Sequence, residues 1–118
     1  MYNSNTIDFE TITSKESIDF LLKKEKGVLL YFYNDHCAPC HSLRPKIIHM
    51  QETAFPKMKL FFIDTERYPE IPAQHGIFSN PTILAFFEGK EYIRVSKYVS
   101  EHQLKENISR LYDMVFDD

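Results

Sequence analysis

The sequence predicts an α/β protein: a central mixed five-stranded sheet flanked by about four helices, in one domain spanning residues 1–118. Three observations predict it. With 118 residues, 43% of them hydrophobic, and ten Phe and seven Tyr among them, the chain can fill one core but not two ordinary domains. Strand-sized apolar runs alternate with segments of helical spacing, the arrangement that gives parallel strands joined by crossover helices. The last two runs are separated only by a short turn, so that pair should be antiparallel.

Each element has its own warrant. Ile7 and Phe9 alternate with polar neighbours, a short strand signal. Thr13 and Glu16 form a capping-box pattern, and Ile18, Leu21 and Leu22 follow at helical spacing. Lys23, Lys24 and Lys26 suit a helix C-terminus, and Gly27 can close it. Val28 to Tyr33 is a continuous apolar run, the mark of a strand buried on both faces. A second helix is expected from near Cys37 to about Ala54, with Leu43, Ile47, Met50 and Ala54 on one face and a kink at Pro45.

Met58 to Ile63 is the next strand, and the Pro-punctuated stretch from Asp64 to Gly76 has room for one short helix. Thr82 to Phe87 and Tyr92 to Val95 read as a hairpin about Glu88-Gly89-Lys90. Ser100 with Gln103 opens the last helix, whose core face is Leu104, Ile108, Leu111 and Val115; Asp113 to Asp118 is expected to fray. The order is β-α-β-α-β-α-β-β-α, without linker, repeat or low-complexity segment.

Composition narrows the functional classes. A net charge of −3 and a pI near 5.9 speak against nucleic acid, whose phosphates need a surplus of Lys and Arg. No apolar run approaches the roughly 20 residues that span a bilayer, so no membrane partner is expected. The N-terminal MYNSNTIDFE lacks the basic start and apolar stretch of a signal peptide, so the expected location is cytoplasmic. Two cysteines three positions apart do not staple a secreted domain; in a reducing compartment they point to chemistry.

That chemistry centres on His36-Cys37-Ala38-Pro39-Cys40-His41, between a buried strand and a helix. A C-x-x-C pair at a helix start puts the first thiol beside unpaired backbone N–H groups and the positive end of the helix dipole. With a thiol pKa of about 8.5, about 3% is ionised at pH 7; lowering it to about 7 ionises roughly half. The second sulfur, one turn on, is close enough to form the disulfide that expels a mixed-disulfide product.

With these residues the chain resembles the thioredoxin family over nearly its whole length. The supporting marks are Cys37-Ala38-Pro39-Cys40 after a strand, Pro45 in the next helix, Asp64 at a strand end, His75-Gly76-Ile77, Asn80-Pro81-Thr82 and Gly89. The resemblance implies a thioredoxin fold. It also implies that Pro81 follows a cis peptide bond against the disulfide, with Asn80, Pro81 and Thr82 shaping a groove that pairs with extended substrates. Four positions depart from the family pattern. His36 replaces the usual Trp and Ala38 the usual Gly, Tyr31 stands where the family has a buried proton-relaying Asp, and Lys97 falls near the glycine of the substrate-docking loop.

Each neighbour has a plain reading beside the functional one. His36 either favours the Cys37 thiolate when protonated or is a solvated loop residue. Tyr31 suits core packing better than proton relay, since its ordinary pKa is near 10. His41 reads as an exposed first-turn residue, and no spacing gathers His49, His75 and His102. Cys37 to His41 also matches the C-x-x-C-H attachment motif of c-type haem, but attachment needs export. Zinc would need a second ligand pair at proper spacing, and none exists, so neither a metal nor another cofactor is expected.

The expected function is thiol–disulfide exchange that reduces protein disulfides and serves cell redox homeostasis. Cys37 attacks, Cys40 resolves, and Pro39 restrains the loop. The implied partners are disulfide-containing proteins and a reductase as electron donor, and the chain is expected to be a monomer. The alternative is a thioredoxin-fold binding module with little turnover.

Overall fold

The computed structural model describes residues 14–117. Ser14 opens helix α1 (Lys15–Lys24), its hydroxyl accepting the Ser17 amide at 3.1 Å. The cap is therefore Ser14 rather than the expected Thr13, which lies outside the described residues together with the expected strand at Ile7 and Phe9. Glu25 and Lys26 lead into strand β1 (Gly27–Tyr33), buried along nearly all its length as its unbroken apolar run requires. Helix α2 (Ala38–Ala54) follows and runs through Pro45 without interruption. Strand β2 (Lys59–Asp64), the short helix α3 (Glu70–Gln74), strands β3 (Thr82–Phe87) and β4 (Lys90–Ser96), and helix α4 (Glu101–Phe116) complete the order.

The sheet order is β2-β1-β3-β4. β1 pairs parallel with β2 and antiparallel with β3, and β3 pairs antiparallel with β4. The mixed sheet and four flanking helices agree with expectation. The strand number is a correction: among the described residues the sheet has four strands, not five. The hairpin is also tighter than expected. Glu88 and Gly89 both take positive φ, at 52° and 84°, which makes a two-residue turn whose twist matches the strands and lets β4 begin at Lys90.

Alternation along the strands splits the core into two layers. Leu29, Tyr31, Ile83 and Ala85 pack with Ile47 of α2 and Leu104 of α4. Val28, Leu30, Phe32 and Leu84 face the other way, against Ile18 of α1 and Ile71 of α3. The C-terminal end does not fray from Asp113: α4 stays helical to Phe116. Tyr112 explains this. Its ring packs on Phe55 and Phe116, with centroids 5.2 and 4.8 Å away, and its hydroxyl accepts the Lys57 amide at 3.2 Å. No described helix is long and apolar enough to cross a membrane.

Candidate active site

Parallel β1 and β2 end side by side at Tyr33 and Asp64, and the chain leaving β1 must turn into α2. The turn is held locally: Asn34 Oδ1 accepts the His36 amide at 2.9 Å, and the Asn34 carbonyl accepts the Cys37 amide at 3.4 Å. Cys37 is the N-cap of α2, where its Sγ accepts the Cys40 amide at 3.2 Å. An N-cap side chain satisfies one of the helix's orphan donors, and a charged sulfur accepts such a bond better than a neutral thiol. Cys37 and Cys40 are joined as a disulfide, with Cα atoms 5.2 Å apart. Cys37 is half-buried, whereas Cys40 is 0% exposed. Between them Ala38 and Pro39 are exposed, and proline's fixed φ suits the first turn.

Tyr31 reaches this turn from below. It is fully buried, and its hydroxyl donates to the Cys40 carbonyl at 2.6 Å. Burial pushes its pKa up to about 12, opposed by the positive charge of Arg44. It is therefore a neutral hydrogen-bond donor at ordinary pH, and not a base. Arg44 lies one helical turn beyond Cys40, with its guanidinium 4.6 Å from the Tyr33 ring centre and 4.9 Å from that of Phe62. Sequence reasoning missed Arg44. The signal available was its i+4 spacing from Cys40, which places both on one helix face.

His36 and His41 lie on the surface of the turn. His36 Nε2 is 3.6 Å from Glu66 Oε1, with the two side chains 81% and 56% exposed. The two atoms form an ion pair only when the imidazole is protonated. His41 Nε2 lies 3.1 Å from the Asp35 carbonyl. Among the described residues no three His, Cys, Asp or Glu side chains gather in a way that could hold a metal ion.

The loop before β3 approaches the same turn. The Asn80–Pro81 peptide is cis. Asn80 Nδ2 donates to Thr65 Oγ1 at 3.0 Å, and buried Thr82 donates its hydroxyl to the Ser79 carbonyl at 2.6 Å. The Pro81 carbonyl accepts the Lys97 amide at 2.9 Å, which ties in the loop after β4. Lys97 has φ 62°, in the left-handed region that glycine adopts most readily. Pro39, Pro81 and Lys97 thus border one hollow of about 250 Å³, whose floor includes Leu43 and Val99. Asn80 lines a separate hollow with Thr65, Ile77 and Phe78.

Comparison with known proteins agrees with this geometry. The family model described as Thioredoxin matches residues 8–110. A thioredoxin-like protein of Bacillus subtilis, YdfQ, is 28% identical over 96 residues, covering 81% of this chain and 85% of that one. The thioredoxin of Mycoplasmoides gallisepticum is 33% identical over 97 residues, covering 80% and 94%. Among solved structures, mitochondrial thioredoxin 3 of Saccharomyces cerevisiae superposes with a TM-score of 0.80 at 19% identity, over 91% of this chain and 99% of its own.

Proposed function

This chain belongs to the thioredoxin family, and on that premise we propose that residues 1–118 form one cytoplasmic domain that reduces the disulfides of other proteins. Family membership and the Cys37–Cys40 disulfide make it a thiol–disulfide oxidoreductase. The direction of electron flow and the division of labour are our reading. One observation carries the division of labour: Cys37 caps α2 at the surface while Cys40 is buried behind it.

In the reduced protein the Cys37 thiolate attacks one sulfur of a substrate disulfide. A Cys37–substrate bond forms, the substrate S–S bond breaks, and the leaving thiolate takes a proton. Cys40, as thiolate, then attacks Cys37 Sγ. The mixed disulfide breaks, the second substrate thiol leaves, and the Cys37–Cys40 bond forms. Two electrons and two protons have passed to the substrate, and a separate reductase restores the dithiol.

Around the sulfurs, Ala38 and Pro39 shape the first turn, Tyr31 anchors the Cys40 carbonyl, and Asn80, Pro81 and Thr82 form the loop along which an extended substrate runs. His36 faces Glu66, so the start of α2 is the main support for the thiolate.

Insulin-disulfide reduction tests the reading. Cys37→Ser abolishes turnover; Cys40→Ser retains attack and accumulates a mixed disulfide, seen by mass. Selective alkylation of Cys40 in the reduced protein at neutral pH would reverse the roles. One observation favours the second reading, a binding module with little turnover: Tyr31 stays protonated and offers Cys40 no base. Full single-turnover exchange with negligible steady-state turnover, at saturating reductant, selects that alternative.

A further inference from the structure

The two hollows on either side of the Asn80–Pro81 bond have similar volumes, about 250 Å³ each, and opposite character. The one on the Asn80 side is bordered by Pro69, Pro72, Ile77 and Phe78 and has no charged side chain in its lining. The one on the Pro81 side, next to Pro39 of the redox turn, contains Lys46 and Lys97 and no acid. Lys46 is exposed on α2 and Lys97 on the loop that the Pro81 carbonyl holds in place. Neither forms an ion pair with any described residue. Two cations without an ion-pair partner among the described residues thus face one groove, on a chain whose net charge is −3. Lys97 also occupies left-handed backbone that glycine would adopt with less strain. Tyr98, 97% exposed, borders the same hollow.

We propose that Lys46 and Lys97 determine substrate choice: this protein acts on disulfides in polypeptide segments that carry an acidic side chain beside the reacting cysteine. This rests on the reductase reading above and adds the substrate class. A segment laid along the Pro81 backbone with its reacting sulfur at Cys37 passes the lysine-lined hollow within a few residues. A carboxylate there meets two exposed ammonium groups, whose charge complementarity speeds encounter and fixes register at low salt. A lysine at the same place meets like charge.

The test uses the reduced full-length protein in single turnover with three peptide disulfides that differ only in flanking Glu, Gln or Lys. Each encounter transfers two electrons from the Cys37/Cys40 dithiol to the peptide, so no other reductant is needed. Acid quenching and chromatography give the second-order rates. The Glu peptide should react roughly fivefold faster than the Gln peptide at low salt, and the Lys peptide slower than either. Salt at about 0.5 M should shrink the spread.

The combined change Lys46→Gln and Lys97→Asn, in which asparagine tolerates the left-handed backbone, should bring the Glu/Gln ratio near one. Lys97→Arg should keep it. Lys90→Gln, at the far end of the sheet, should also keep it. Equal rates for all three peptides, or a preference that survives the double substitution, overturns the proposal. Failure to reduce any of the peptides, with Cys37 still alkylatable, overturns the reductase reading and this one with it.

Discussion

Tyr31 shows how one side chain can keep a position and change its chemistry. A buried carboxylate there could pass a proton; a buried phenol with its pKa pushed to about 12 by burial keeps its proton and donates only a hydrogen bond. Its bond to the Cys40 carbonyl braces the turn that holds both sulfurs. Tyr31→Phe should therefore cost about 1 kcal/mol of stability at neutral pH, read from urea unfolding. The sign of the alkaline effect follows from the raised pKa. Unfolded tyrosine ionises near pH 10 and folded Tyr31 near 12, so between those values the unfolded state binds fewer protons and stability falls as pH rises. That decline should be shallower in Tyr31→Phe. A slope unchanged by the substitution would place its origin elsewhere.

Among the elements, the helix ends carry the most transferable information. Ser100 accepts the Gln103 amide at 3.2 Å at the start of α4, as its capping pattern suggests. Ser100→Ala should lower stability by about 1 kcal/mol, measured from the shift in denaturant midpoint at constant slope. The unbroken run of β1, the hairpin and the helix that begins at Cys37 were legible for the same reason: the decisive contacts lie within a few residues. Where the outcome differed, the contacts were distant or the local choices nearly equal. Thr13 and Ser14 are adjacent hydroxyl residues, and the Thr13/Glu16 pattern outweighed the Ser14/Ser17 pair that the helix uses. The end of α4 looked loose because nothing nearby in sequence shows that Phe55 and Lys57 meet Tyr112. At the site, the two sulfurs and Pro81 were legible from spacing and resemblance. Arg44 on its aromatic rings and the Lys97–Pro81 bond depend on tertiary approach, which spacing does not encode.

For the whole molecule, one of the two apolar layers carries a group that makes stability sensitive to acid. On the α1 and α3 side, His75 packs near Phe32 and Phe86, with ring centroids 6.3 and 6.1 Å away. Its Nε2 is buried with no hydrogen-bond partner among the described residues. Burial holds its pKa below the ordinary 6.5; Glu91 and Asp19 oppose that shift, and Arg94 reinforces it. Below pH 6.5 the unfolded chain takes up this proton before the folded one does, so stability rises with pH in that window. It is fully present above pH 6.5 and is lost as pH falls through the folded-state value. Unfolding by urea should therefore need less denaturant at about pH 5 than at about pH 8. His75→Phe, which keeps a ring between Phe32 and Phe86, should flatten that difference. An equal drop in both proteins would assign the acid sensitivity to other groups.

The complete burial of Cys40 also governs traffic. A partner protein can reach only the Cys37 sulfur, so the donor that delivers electrons and the acceptor that takes them must use the same landing place in succession. No three-body complex forms; the carrier visits one party, departs and visits the other, and an excess of either keeps the other waiting. One buried atom thus makes the protein a shuttle with a single berth, open to every party in turn.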